Sequence, residues 1–120
     1  MAFVASEIYE EKLRTAAPDS SAAFNVQSQG CSQIRAFWRI ASASGASADA
    51  TAAMKAEHSD NGNDWTDVPD GAFRTVSKGV TFPAEQTLVL YPTRKYLRWT
   101  TTLTGTTPTA TWGLEVAYIS

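Results

Sequence analysis

The sequence is short of the residues on which small catalytic and metal-binding proteins depend. It has one cysteine, Cys31, and one histidine, His58. A single cysteine excludes an internal disulfide and any multi-cysteine zinc site. A single histidine removes most histidine-based acid–base chemistry and the commonest metal-ligand sets. Charge is scarce too: Lys, Arg, Asp and Glu make up 18% of the chain, against about 25% in an average soluble domain. With 10 basic and 12 acidic residues the net charge is -2, so there is no basic surplus to hold a nucleic acid. No run approaches the roughly 18 apolar residues of a membrane span. Residues 1–5 lead at once into Glu7, Glu10 and Glu11, unlike the basic start and longer apolar stretch of a secretory signal. These absences predict a non-enzymatic protein without cofactor or metal, made in a cytoplasm, with neither nucleic acid nor membrane as partner.

What is present is hydrophobic alternation. The 120 residues, 43% hydrophobic, suit one domain with an independent core. Ile34, Ala36, Trp38 and Ile40 alternate with polar or exposed-type neighbours, and Ala52, Met54, Ala56 and His58 do the same. Such a period of two marks half-buried strands. Ser59-Asp60-Asn61-Gly62-Asn63-Asp64 reads as a tight turn, because Asn, Asp and Gly tolerate positive φ. A short strand around Trp65 to Val68 then returns antiparallel, and Pro69-Asp70-Gly71 reads as another turn. Phe73–Val76, Val80–Phe82 and Thr87–Leu90 read as short strands. Leu97, Trp99, Thr101 and Leu103 share one face of a strand over 95–104, and Ala110, Trp112, Leu114, Val116 and Tyr118 one face of a strand over 109–119. The turn between them predicts a C-terminal hairpin whose apolar edge a second copy would cover, giving a homodimer or homotrimer. Ser6 could cap a short helix, but the β character of everything after it favours an edge strand from Ile8 to Thr15. The whole reads as all-β: an antiparallel β-sandwich of jelly-roll type over 13–120, with a short N-terminal arm or edge strand over 1–12.

Each chemical motif has a plainer explanation. A Cys31/His58 nucleophile pair lacks a local signature around Gly30-Cys31-Ser32. Alternate positions in the acidic turn give Asp60, Gly62 and Asp64, so a calcium loop would miss its middle ligand. Arg94, Lys95 and Arg98, with Arg35 and Arg39, suggest a basic patch interleaved with Tyr96 and Trp99. Alternation, however, turns Trp99 inward, away from Arg98. Among the four tryptophans, Trp99 and Trp112 belong to the core, and Trp65 stands at a turn where core and surface are balanced.

The stretch Ser59 to Pro69, with its Asp-Asn-Gly turn followed by Trp65-Thr66-Asp67-Val68, resembles a motif of small tailed-bacteriophage structural proteins. Ala72-Phe73, Tyr96-Leu97-Arg98 and Thr102 to Pro108 resemble its continuation, so the likeness runs from about Leu13 to the C-terminus. The family it resembles is that of capsid decoration or cement proteins. The resemblance implies a virion protein on the outer capsid surface that binds the major capsid protein and bridges its subunits. On that reading Phe3, Trp65, Tyr91, Arg94 and Tyr96 are the candidate protein or sugar contacts. Residues 1–12, which depart from the resemblance, read as a capsid-gripping arm or a dimer strand. Deleting residues 1–6 is expected to weaken capsid attachment while leaving the fold intact. A tail or connector component is the nearest alternative. The same Ser-x-Asn/Asp-Gly-x-x-Trp phrase also occurs in carbohydrate-binding sandwiches, which is a further one.

Overall fold

The computed structural model describes residues 3–14, 19–20, 23–44, 51–77, 80–105 and 108–120, of which side chains are described for Tyr9 and from residue 23 onward, Ser44 excepted. Its regular elements are all strands: β1 (Phe3–Arg14), β2 (Asp19–Ser20), β3 (Phe24–Asn25), β4 (Gln33–Ser44), β5 (Thr51–Ser59), β6 (Thr66–Ala72), β7 (Val76–Ser77), β8 (Ala84–Leu90), β9 (Tyr96–Thr104) and β10 (Thr109–Ile119). They form the antiparallel sandwich that the alternation predicts. One sheet runs β1-β10-β4-β8; the other runs β2-β9-β5-β6, with β3 also on β9 and β7 on β5. The pairings nest. First pairs with last (β1 with β10), then β2 and β3 with β9, β4 with β8, and β5 with β6 and β7.

Alternation explains the core directly, since successive strand side chains point to opposite faces. Ile34, Ala36, Trp38 and Ile40 of β4 and Ala110, Trp112, Leu114, Val116 and Tyr118 of β10 are buried on one sheet's inner face. Ala52, Met54 and Ala56 of β5 face them from the other sheet, with Leu97, Trp99 and Leu103 of β9. Phe73 bridges the layers: its ring centroid lies 5.4 Å from that of Trp38 and 6.1 Å from that of Trp99. Its backbone N–H donates to the Met54 carbonyl at 3.0 Å. Trp38 is fully buried, and its indole N–H has no hydrogen-bond partner among the described residues. An unmet donor costs about 1–3 kcal/mol, so Trp38 serves the core by its bulk.

Five expectations need correction. The two C-terminal strands are not a hairpin. β9 lies in one sheet between β2/β3 and β5, while β10 lies in the other between β1 and β4. Their apolar faces oppose each other across the sandwich, which the same alternation allows. β10 is therefore an interior strand, and the exposed apolar edge expected at Val116–Ile119 does not exist. Pro69-Asp70-Gly71 is not a turn but an irregularity within β6. Glu57 pairs with Asp67 and Lys55 with Ala72, so the residues between 67 and 72 form a bulge. Asp70 takes φ 58° there, and Val68 and Gly71 are buried. Finally, Val80–Phe82 is not a strand, and the expected strand over 73–76 is reduced to Val76–Ser77.

At the N-terminus, Phe3, Ala5 and Ser6 pair with Ile119, Tyr118 and Ala117. Removing residues 1–6 would strip the end of β10 of its neighbour on that side. No helix among the described residues is long and apolar enough to cross a membrane.

Candidate functional site

The turn after β5 is held by its own side chains. Ser59 is fully buried; its hydroxyl accepts from the backbone N–H groups of Asn61 (3.2 Å) and Gly62 (2.9 Å) and donates to Asn61 Oδ1 (3.0 Å). Asn61 Oδ1 also accepts from the backbone N–H groups of Asn63 (2.8 Å) and Asp64 (2.9 Å), and Asn61 Nδ2 donates to Asp64 Oδ2 (2.7 Å). Gly62 sits at φ 79°, a region open to glycine at no steric cost. A Cβ there would rest 3.8 Å from the Tyr96 ring. The phrase that carries the phage-protein likeness is thus a self-satisfied turn, and Asp64 is engaged within it.

Nesting of the strands gathers the candidate contact residues at one end of the sandwich. Tyr91 and Arg94 lie in the β8–β9 loop, Tyr96 opens β9, and Trp65 precedes β6. Phe3 joins them through its backbone, which pairs with Ile119 at the end of β10; its side chain lies outside the described residues. Ile119 pairs in turn with Gln33, whose side-chain amide donates to the Tyr91 hydroxyl at 3.4 Å. Between the 26–31 loop, the Ser59–Asp64 turn and the β8–β9 loop lies an open cleft of about 520 Å³, its walls including Gln27, Cys31, Asp60, Thr93, Arg94 and Lys95. The Val26 N–H, donating to the Lys95 carbonyl at 3.0 Å, ties two of these loops together.

The electrostatics are mild. Arg94 lies 3.8 Å from Asp60 and Lys95 sits 5.3 Å from the Tyr96 ring centroid. Exposed pairs of this kind contribute about 0–1 kcal/mol. Beneath them His58 is buried, with the Thr93 hydroxyl 3.4 Å from Nδ1. Desolvation pushes its pKa below the ordinary imidazole value, the Arg94 charge adds to this, and Asp60 opposes it. The Cys31 thiol donates to the Gln33 carbonyl at 3.3 Å, so its observed partner is backbone rather than imidazole.

The other expected features separate. Trp65 is half-buried, and the Arg98 guanidinium lies 4.3 Å from its ring centroid. Arg98 Nε also donates to Glu57 Oε1 at 2.9 Å, and the Thr100 hydroxyl donates to the same oxygen at 2.8 Å. One face of the indole is therefore occupied from within the protein. Arg35 and Arg39 lie on β4, in the opposite sheet; Arg35 donates to Gln33 at 3.0 Å and Arg39 lies 3.8 Å from Glu85. The basic residues thus do not form one continuous patch. Sequence reading missed Gln27, Asp60 and Lys95 as neighbours in the cleft. They come from three loops far apart in the chain, and only strand pairing brings them together.

No family model matches the chain, and no curated protein matches it. Among solved structures, the PBSX exported protein XepA superposes with a TM-score of 0.69 over 95% of this chain, at 16% identity. Dimeric latent PorU from Porphyromonas gingivalis gives 0.53 over 94% at 14% identity, and a Bacillus endospore appendage that forms disulfide-linked pili gives 0.51 over 95% at 14% identity. The chain spans 36% of the XepA chain, 12% of the PorU chain and 86% of the appendage chain. At these identities the likeness is one of fold.

Proposed function

We propose that this chain is a non-enzymatic structural protein of a bacteriophage particle, and specifically a decoration protein that binds the outside of the head and bridges major capsid subunits. The observation that carries the reading is the gathering of Tyr91, Arg94, Tyr96 and the backbone of Phe3 at one loop end of a rigid sandwich. Loops held by a rigid scaffold are where binding residues concentrate. Tyr91, 64% exposed, is the natural anchor: aromatic side chains and arginine dominate protein contacts. Arg94 stands three residues away in the same loop. Fold likeness to a PBSX exported protein and to an appendage that forms pili supports a phage or structural setting for the chain. Mass action then stabilises a shell, provided the protein binds the assembled state in preference to free subunits.

The sugar-binding alternative draws less support, because Arg98 already covers one face of Trp65. Co-sedimentation of the purified chain with assembled, undecorated capsids tests the proposal. Saturable binding that Tyr91→Ala weakens at least tenfold supports it. Absence of binding to shells, together with retention on a glycan array, would replace it with sugar recognition.

A further inference from the structure

Asn61 is followed by Gly62, the one Asn-Gly pair in the sequence. An asparagine in that setting is prone to deamidation. The following backbone nitrogen gives up its proton to base and bonds to the side-chain Cγ. The Cγ–Nδ2 bond breaks, and Nδ2 leaves as ammonia. Water then opens the five-membered imide at either carbonyl, leaving aspartate or isoaspartate. Glycine exposes the attacking nitrogen, because it has no Cβ and its backbone turns freely. Asn61 is itself exposed, so water and hydroxide reach it.

We infer that the folded turn holds this modification site shut, and that Asn61 deamidates only when the turn opens. Both reacting groups are occupied. The Gly62 N–H donates to the hydroxyl of buried Ser59 at 2.9 Å, so loss of its proton would leave a negative nitrogen facing that oxygen. Asn61 Oδ1 accepts from the Ser59 hydroxyl and from the backbone N–H groups of Asn63 and Asp64, at 3.0, 2.8 and 2.9 Å. Nδ2 donates to Asp64 Oδ2 at 2.7 Å. Attack draws Cγ to bonding distance of the Gly62 nitrogen and turns the flat amide tetrahedral, so the amide cannot keep all four partners. Local opening of the turn releases them together. The product cannot restore the turn. Aspartate lacks the Nδ2 donor and sets a second carboxylate against Asp64, and isoaspartate inserts Cβ into the main chain. The protection comes from geometry rather than burial, and it does not depend on what the loop end binds.

Intact mass and peptide mapping of the full chain in mildly alkaline buffer are the test, each event replacing –NH2 by –OH. Residue 61 should convert at least about tenfold more slowly in the folded chain than in the urea-unfolded chain, local opening being the gate. Ser59→Ala, which frees the Gly62 N–H, and Asp64→Ala, which frees Nδ2, should each speed the folded chain at least about threefold with an unchanged circular dichroism spectrum. Asn63→Ala, which leaves all of these bonds in place, should not. A folded chain that converts as fast as the unfolded one, or faster, overturns the proposal; the three donors on Oδ1 would then cradle the developing oxyanion. Slow conversion that neither variant speeds overturns it equally, since the protection would then lie outside the turn.

Discussion

Replacing Ser59 by alanine removes one oxygen from a site where water cannot substitute without opening the turn. That oxygen accepts two backbone N–H bonds, at 2.9 and 3.2 Å, and its proton reaches Asn61 Oδ1 at 3.0 Å. A net hydrogen bond contributes about 0.5–1.5 kcal/mol, more where the stranded partner stays buried. Two stranded donors plus a released Asn61 therefore amount to about 2–3 kcal/mol. For a domain of this size each kcal/mol moves the Tm by about 4 °C, so the variant should melt about 10 °C below the parent. Tryptophan fluorescence follows the transition, since Trp65 adjoins the turn while Trp38, Trp99 and Trp112 sit in the core. Asn63→Ala is the control, because the Asn63 side chain accepts none of the turn's backbone bonds. A Ser59→Ala protein melting within about 2 °C of the parent would refute the turn as a stabilising element, and with it the structural explanation of the Ser-to-Trp phrase.

Gly71→Ala should be costlier than an ordinary glycine substitution, because a Cβ would lie 2.7 Å from Val68 Cβ and 2.8 Å from the Val68 carbonyl oxygen; overpacking of this kind costs about 1–3 kcal/mol, measurable by urea denaturation. Gln86→Ala should cost about 1–2 kcal/mol, since its side-chain amide accepts from the Arg74 N–H (2.7 Å) and donates to the Arg74 carbonyl (2.8 Å), joining β8 to the segment after β6; the 73–75 amides should then exchange faster with deuterium. The lowered His58 pKa means the unfolded chain binds the proton more readily than the folded one. Its stabilising contribution is therefore complete above about pH 6.5 and is lost as the pH falls from there through the lower folded pKa. Urea midpoints at pH 7.5 and pH 5 should differ less in His58→Gln than in the parent, and an equal difference would remove His58 as the source.

Strand faces were legible in the sequence because burial has a period of two: Trp38, Met54, Trp99 and Trp112 all point inward as alternation requires. Neighbours were not legible. Alternation says which side of a strand is wet, not which strand lies beside it, and so β9 and β10 read as a hairpin although they face each other across the core. Pro69-Asp70-Gly71 misled for a related reason. Its residues favour left-handed and bent backbone, which a bulge needs as much as a turn does. The contact end was half legible: aromatic and basic residues bordering loops stood out singly, but their shared location depends on nested long-range pairing. Trp65, evenly balanced on sequence, was decided by Arg98, which faces it from another element.

On the proposed function the chain occupies the outside of a phage head through its loop end. Image reconstruction of undecorated heads saturated with the purified chain tests this most directly. The expected result is sandwich-shaped density at regular positions on the outer surface, with the Tyr91–Tyr96 loop against the major capsid protein. Bare shells at saturating concentration, or density anchored through a different face, would contradict it.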